Sequence, residues 1–195
     1  MESMENITSR LVPKRECGLC TACCKWLPID TEELQKHARV LCKNRGDHGC
    51  QIYETRPGVC RNWYCGWRMM PNLGDDWRPD KSGIIVEFEP NDIPEHYELR
   101  EGIKFFIIGS HQSIFRRGFA EMIGACVEAR VPTFISIPGP FDHFPAKAFL
   151  NDAINSAVVE RDRDKALSVI IGALEGLTGF KFDRVMFRNG APPPE

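Results

Sequence analysis

The chain has 195 residues, 43% hydrophobic and 27% charged, with a formal net charge of −2. That length buries one good core without disulfide staples, and the balanced charge makes no electrostatic case for nucleic acid. No apolar run approaches the roughly 18 residues that cross a bilayer, so no membrane partner is expected.

Residues 1–16 form a polar lead-in with neither a continuous apolar h-region nor a small-residue cleavage site, which predicts a cytoplasmic chain whose thiols stay reduced. Residues 17–70 are loop-rich and hold eight of the nine cysteines. Asp30 followed three residues later by Glu33 has the capping-box pattern and predicts a helix over Thr31–Val40, with His37 on its solvated face. The N-R-G-D-H-G stretch predicts a turn that includes His48, and Pro57 suits the first turn of a short helix carrying Cys60 and Cys65. Residues 71–82, rich in proline, glycine and aspartate, have the composition of a linker loop.

After the linker the pattern changes. G-I-I-V-E-F-E predicts a strand, and HYELREGIKFFIIG predicts two more around Gly102. From Ser110, the spacing of Phe115, Phe119, Met122, Ile123 and Cys126 predicts a helix with Cys126 on its buried stripe. Val131–Ile137 is a further strand. Pro145, Ala146, Phe149, Leu150, Ala153, Ile154, Ala157 and Val158 predict an amphipathic helix, and a last helix spans Lys165–Leu177. Residues 83–190 thus make an α+β region, residues 191–195 a disordered tail. The expected fold class is α+β, with the loop-rich, metal-bound cysteine region packed on a small sheet with helices.

The chemistry concentrates in Cys17, Cys20, Cys23, Cys24, Cys42, Cys50, Cys60 and Cys65. C-G-L-C-T-A-C-C brings four thiols into one bendable loop, the spacing by which thiolates converge on a soft ion or an iron–sulfur cluster. Eight thiolates make two tetrahedral four-sulfur zinc sites the simplest allocation. Cys23 and Cys24, being adjacent, then serve different sites or supply a bridging sulfur. One four-thiolate iron–sulfur cluster is the rival, although the ferredoxin run C-x-x-C-x-x-C-x-x-x-C-P is missing. Two filled divalent sites would take the formal charge from −2 to about −6, so Lys25, Arg56, Arg61 and Arg68 are candidate counter-charges. Trp63, Tyr64 and Trp67 are placed to shield the site from water.

Two other places attract notice. Gly109-Ser110-His111-Gln112 stands at a strand-to-helix junction that suits an anion or an N-cap. Asp142-His143 has the composition of a carboxylate–imidazole pair, or of two helix-capping residues.

C-x-x-C-x-x-C-C, a lone cysteine, and then C-Q-I-Y-E-T-R-P-G-V-C-R-N-W-Y-C resemble the YkgJ-type cysteine-cluster family, described as zinc- or iron-chelating domains. The likeness covers Cys17 to Cys65. It implies a soluble, mostly bacterial protein in which those eight cysteines hold zinc, iron or an iron–sulfur cluster, and it implies nothing for residues 81–190. Three function classes follow: a protein whose metal is structural, a metal-dependent or iron–sulfur enzyme of unknown substrate, and a metal carrier or buffer. Beyond the metal ion itself the sequence names no partner, and it leaves catalysis open.

Overall fold

The computed structural model describes residues 8–185 and 187. Its elements make an α+β fold. A four-stranded sheet is built from β5 (Ile84–Glu89), β6 (Gly102–Ile107), β7 (Thr133–Ile137) and β8 (Ala146–Phe149) in that spatial order. The β5–β6 and β7–β8 pairs are antiparallel. The β6–β7 pair is parallel, which requires a crossover, and the helix Phe119–Glu128 lies in it.

Ahead of the sheet stand two hairpins of two-residue strands, β1 (Ile29–Asp30) with β2 (Gln35–Lys36) and β3 (Arg45–Gly46) with β4 (Gly49–Cys50). The helices in chain order are α1 (Ala22–Trp26), α2 (Gly58–Arg61), α3 (Gly66–Met69), α4 (Pro79–Ser82), α5 (Phe119–Glu128), α6 (Asn151–Glu160) and α7 (Arg163–Thr178). No described helix is long and apolar enough to cross a membrane.

Strand alternation sorts the sheet into two faces. Ile84, Val86, Phe105, Ile107, Ile135 and Ile137 join the main core with Phe119, Ile123, Leu150, Ile154, Ile170 and Leu174 from the helical layer. The predicted stripe on α5 is correct in this respect, and Cys126 is buried in that core. The opposite face carries Ile85, Glu87, Lys104 and Phe106, and Ile85 and Phe106 pack against Ala22, Cys20, Trp26, Leu27, Trp63 and Cys65. The cysteine region therefore lies on the sheet face that the helices leave open.

Several local expectations fail, each for an identifiable reason. Thr31–Val40 is no helix. The Thr31 hydroxyl accepts from the Leu34 N–H and donates to the Leu34 carbonyl, closing the tight β1–β2 turn instead. The capping-box Glu33 caps a different element: its carboxylate accepts from the Gly58 N–H at 2.7 Å, at the start of α2. The 71–82 segment is not a free linker, because Leu73 and Trp77 are buried in the main core beside β5. Residues 95–101 form turns rather than a strand, with Tyr97 packed edge-on against Phe149. The helix expected from Pro145 begins only at Asn151, since Ala146–Phe149 pairs with β7. The Asn151 side chain fixes the switch by accepting from the Thr133 N–H and donating to the Val131 carbonyl. The described part of the lead-in is tied to the segment after Cys65. Arg15 donates to the carbonyls of Trp67, Met70, Pro71 and Leu73, and the Val12 N–H donates to the Arg68 carbonyl. The expected tail, 191–195, lies outside the described residues.

Candidate metal centre

Four short segments bring the cysteines together. The Cys20 N–H donates to the Cys17 carbonyl at 2.9 Å, a tight turn that sets two thiols side by side. α1 follows at once with Cys23 and Cys24, and the Cys42 N–H donates to the Cys24 carbonyl at 2.9 Å. Cys42 continues into the β3–β4 hairpin, where the Arg45 N–H donates to the Cys42 carbonyl and Arg45 pairs with Cys50. Gly49 in that hairpin has φ +104, and a Cβ there would stand 2.4 Å from the Gly18 carbonyl oxygen. Glycine is thus required where the hairpin touches the first cysteine turn. Cys60 rides on α2 and Cys65 caps α3, whose Gly66 backbone lies so close to Val86 that a Cβ would meet its Cγ1 at 2.6 Å.

All eight cysteines line one cavity of about 390 Å³ between this region and the sheet, with Trp63, Ile85, Glu87, Lys104 and Arg68 also in its wall. All nine cysteines are free thiols in this structure. As the side chains stand, no three His, Cys, Asp or Glu groups among the described residues meet closely enough to grip one ion. The thiols surround the cavity rather than converge on a point within it.

Electrostatic neighbours divide the thiols into two sets. Cys60 is pushed up by burial and then by Cys24, Cys42 and Cys50, and Cys50 by burial and then by Cys24 and Cys42. On the other side Cys65 is pushed up to about 12 by burial, with Cys17 and Cys20 adding to it. Cys20 is raised by burial, with Asp80 and Cys17 adding to it. Cys23 and Cys24 stand at the seam and share a hydrogen bond. That bond raises Cys23 well above the ordinary thiol range and lowers Cys24, which Lys36, Arg45 and Arg56 also favour as a thiolate.

Donors already point at several sulfurs. The Ala22 N–H favours the Cys20 thiolate, the Ile52 N–H that of Cys50, and the Arg68 and Trp67 N–H groups that of Cys65, while the Arg68 N–H itself donates to the Cys65 carbonyl at 2.9 Å. Such donors delocalise thiolate charge and orient a metal-binding sulfur. Lys36 is buried at the seam, and its ammonium donates to the carbonyls of Lys25, His37 and Val40. Burial lowers it to about 8, against the pull of Cys42, Cys24, Cys23 and Cys60. Arg56 is anchored by the carbonyls of Cys60 and Tyr53 and the Tyr64 hydroxyl, with its guanidinium 3.8 Å from the centre of the Tyr53 ring. Arg61, its expected companion, is exposed. The donor set fits a soft metal: thiols on a bendable backbone, oriented N–H groups and buried cations beside them.

Other expected sites separate. His48 is exposed in the hairpin turn, as expected. Gly109-Ser110 leads only into the short 3₁₀ turn His111–Phe115, with no side-chain cap from Ser110. Asp142 and His143 part ways: the His143 Nδ1 lies 2.7 Å from the Phe141 carbonyl, while the Asp142 carboxylate meets His37 Nδ1 at 2.6 Å. His37, expected in solvent, is 4% exposed and packs edge-on against Phe187. It bolts the cysteine region to the 139–144 loop.

Three functional neighbours were missed at the sequence level: Lys36, and the cavity-wall pair Glu87 and Lys104. Glu87 did carry a signal, a carboxylate flanked by Val86 and Phe88 in a strand-type run. It is raised by burial, while Lys104, 3.0 Å away and also bonded to Glu89, favours the charged form. Comparison of the chain with protein-family models, curated proteins and solved structures finds no match.

Proposed function

We propose that this is a cytoplasmic metal-binding protein in which Cys17, Cys20, Cys23, Cys24, Cys42, Cys50, Cys60 and Cys65 hold zinc, with iron or an iron–sulfur cluster as the alternative. One observation carries the reading: eight cysteines from separate segments line one cavity, whereas the ninth, Cys126, is packed in the hydrophobic core. The resemblance to the YkgJ-type family supports the same ligands. When bound, zinc would supply fixed positive charge that draws the four cysteine-bearing segments together, and it is structural in this account. The chain's own contribution is to orient the sulfurs by backbone N–H donors, to place Lys36 and Arg56 beside them, and to close one side with Trp63 and Ile85.

The cavity favours a second reading. At about 390 Å³, with Glu87 and Lys104 in its wall, it lies within the size range of small-molecule sites, as an enzyme using a metal or cluster would require. A carrier or buffer would instead need labile, exposed thiolates, and these thiols are half-buried.

Metal analysis and an absorption spectrum, on protein purified without oxygen or added metal, test the proposal. Colourless protein with about two zinc ions per chain supports the structural zinc reading. Brown protein with acid-labile sulfide moves it to the cluster, and metal-free folded protein refutes it.

A further inference from the structure

Arg68 is the anomaly of the cavity wall. Its side chain is buried at 7% exposure, yet Nε and Nη1 have no hydrogen-bond partner, and no carboxylate among the described residues pairs with it. Its guanidinium lies 5.6 Å from the centre of the Tyr64 ring. The other buried cations are answered: Lys36 by three carbonyls, Lys104 by Glu87 and Glu89. A guanidinium stays ionised at any relevant pH, so it cannot escape its burial by losing a proton. An unanswered buried cation is costly, and the fold must recover that cost from an anion.

The location identifies the anion. Arg68 lies on α3, one turn after Cys65, whose carbonyl accepts the Arg68 N–H at 2.9 Å. Cys65 packs with Cys20 against Ala22, Ile85 and Phe106, and Cys17 is one tight turn from Cys20, so α3 carries Arg68 on the Cys17 side of the cavity. Cys23, on α1 directly after the Cys17–Cys20 turn, is the fourth sulfur that side can draw on. Four thiolates around one divalent ion carry a net charge of about −2, and that charge arises only on loading.

We propose that Arg68 is the built-in counter-cation of the loaded Cys17, Cys20, Cys23 and Cys65 group. This rests on the metal reading above. The guanidinium is held without a protein partner because its partner is the sulfur charge that metal creates. Arg68 is a positioning residue, acting through the thiolates.

The sign of the effect should therefore reverse with loading. Full-length wild type, Arg68→Met, Arg68→Lys and the exposed control Arg61→Met are compared anaerobically, with zinc alone as the probe. Chelator competition should show Arg68→Met retaining zinc about 10- to 100-fold more weakly, with Arg68→Lys between it and wild type and Arg61→Met unchanged. In the metal-free state Arg68→Met should melt no lower than wild type, because it removes an unanswered charge.

Equal zinc retention by Arg68→Met and wild type overturns the proposal and points to a small anionic ligand as the missing partner. Equal loss of stability with and without zinc overturns it in favour of simple packing. Wild type that retains no zinc removes the metal reading itself. Should Arg68→Met not fold, Arg68→Lys decides: substantial zinc retention supports the proposal, and a zinc-free Arg68→Lys contradicts it.

Discussion

The two halves of this molecule are held by different forces. In the sheet and helices, Ile84, Phe105, Phe119, Ile123, Ile135, Leu150, Ile154 and Ile170 are all at 0% exposure. Between residues 17 and 65 the buried apolar side chains are only Ala22, Leu34 and Ala38, and no helix there exceeds five residues. Apolar burial suffices for the first half and cannot suffice for the second. What the cysteine region has instead is a set of specific polar attachments, from Arg15, Lys36, Glu33 and His37, and eight sulfurs around a cavity. The lesson is that a region short of apolar residues is stabilised by specific contacts. Each contact is then a point at which the region can be broken on its own.

The largest expected effect separates ligand from core thiol. Cys60→Ser or Cys65→Ser should remove most bound metal, because a neutral hydroxyl is a poor ligand for a soft ion. Cys126→Ser should leave metal stoichiometry unchanged and cost about 1–3 kcal/mol of stability, by burying a hydroxyl in the core. Metal content and thermal melts on the three variants check this, and loss of metal from Cys126→Ser alone would reverse the assignment.

Phe105→Ala provides the converse. It opens the helix-side core and should cost about 3–5 kcal/mol in denaturant unfolding, with the residual folded protein still binding metal normally. If metal affinity fell in step with stability, the two regions would be one cooperative unit and the contrast would fail.

Gly49→Ala tests the junction of hairpin and first cysteine turn. The new Cβ would meet the Gly18 carbonyl, and φ +104 disfavours any side chain, so a cost of about 1–3 kcal/mol and weaker metal retention are expected. Unchanged melting and retention would mean that the hairpin moves freely.

The smallest effect belongs to Glu33. Glu33→Ala removes the cap on α2 and should cost about 1 kcal/mol, with a modest decrease in zinc retention through Cys60. Glu32→Ala, on the exposed neighbour, is the control for a chelator titration.

Legibility from sequence follows the same division. Strands β5 and β7 and helix α5 were readable because apolar periodicity is a direct trace of burial, and Cys126 fell on the predicted stripe. Thr31–Val40 was not, because a capping box has the same letters whether its glutamate caps its own helix or reaches Gly58, 25 residues on. Ala146–Phe149 was not, because a short apolar run has no period that separates strand from helix. The eight cysteines were legible by clustering alone. Lys36 and Glu87 were not, because what marks them is burial, which only the fold supplies, and Arg68 was legible only as one of four basic residues among the cysteines. Arg61 shows the converse: it stood in the family-like stretch and lies in solvent.

Hydrogen exchange with and without a strong chelator, on protein whose metal content is measured in both states, tests the central claim most directly. The account predicts that amides between Cys17 and Cys65 lose protection when metal is removed, while those of β5, β6, β7, α5, α6 and α7 keep theirs. Unchanged protection from Cys17 to Cys65 after verified metal loss would contradict it.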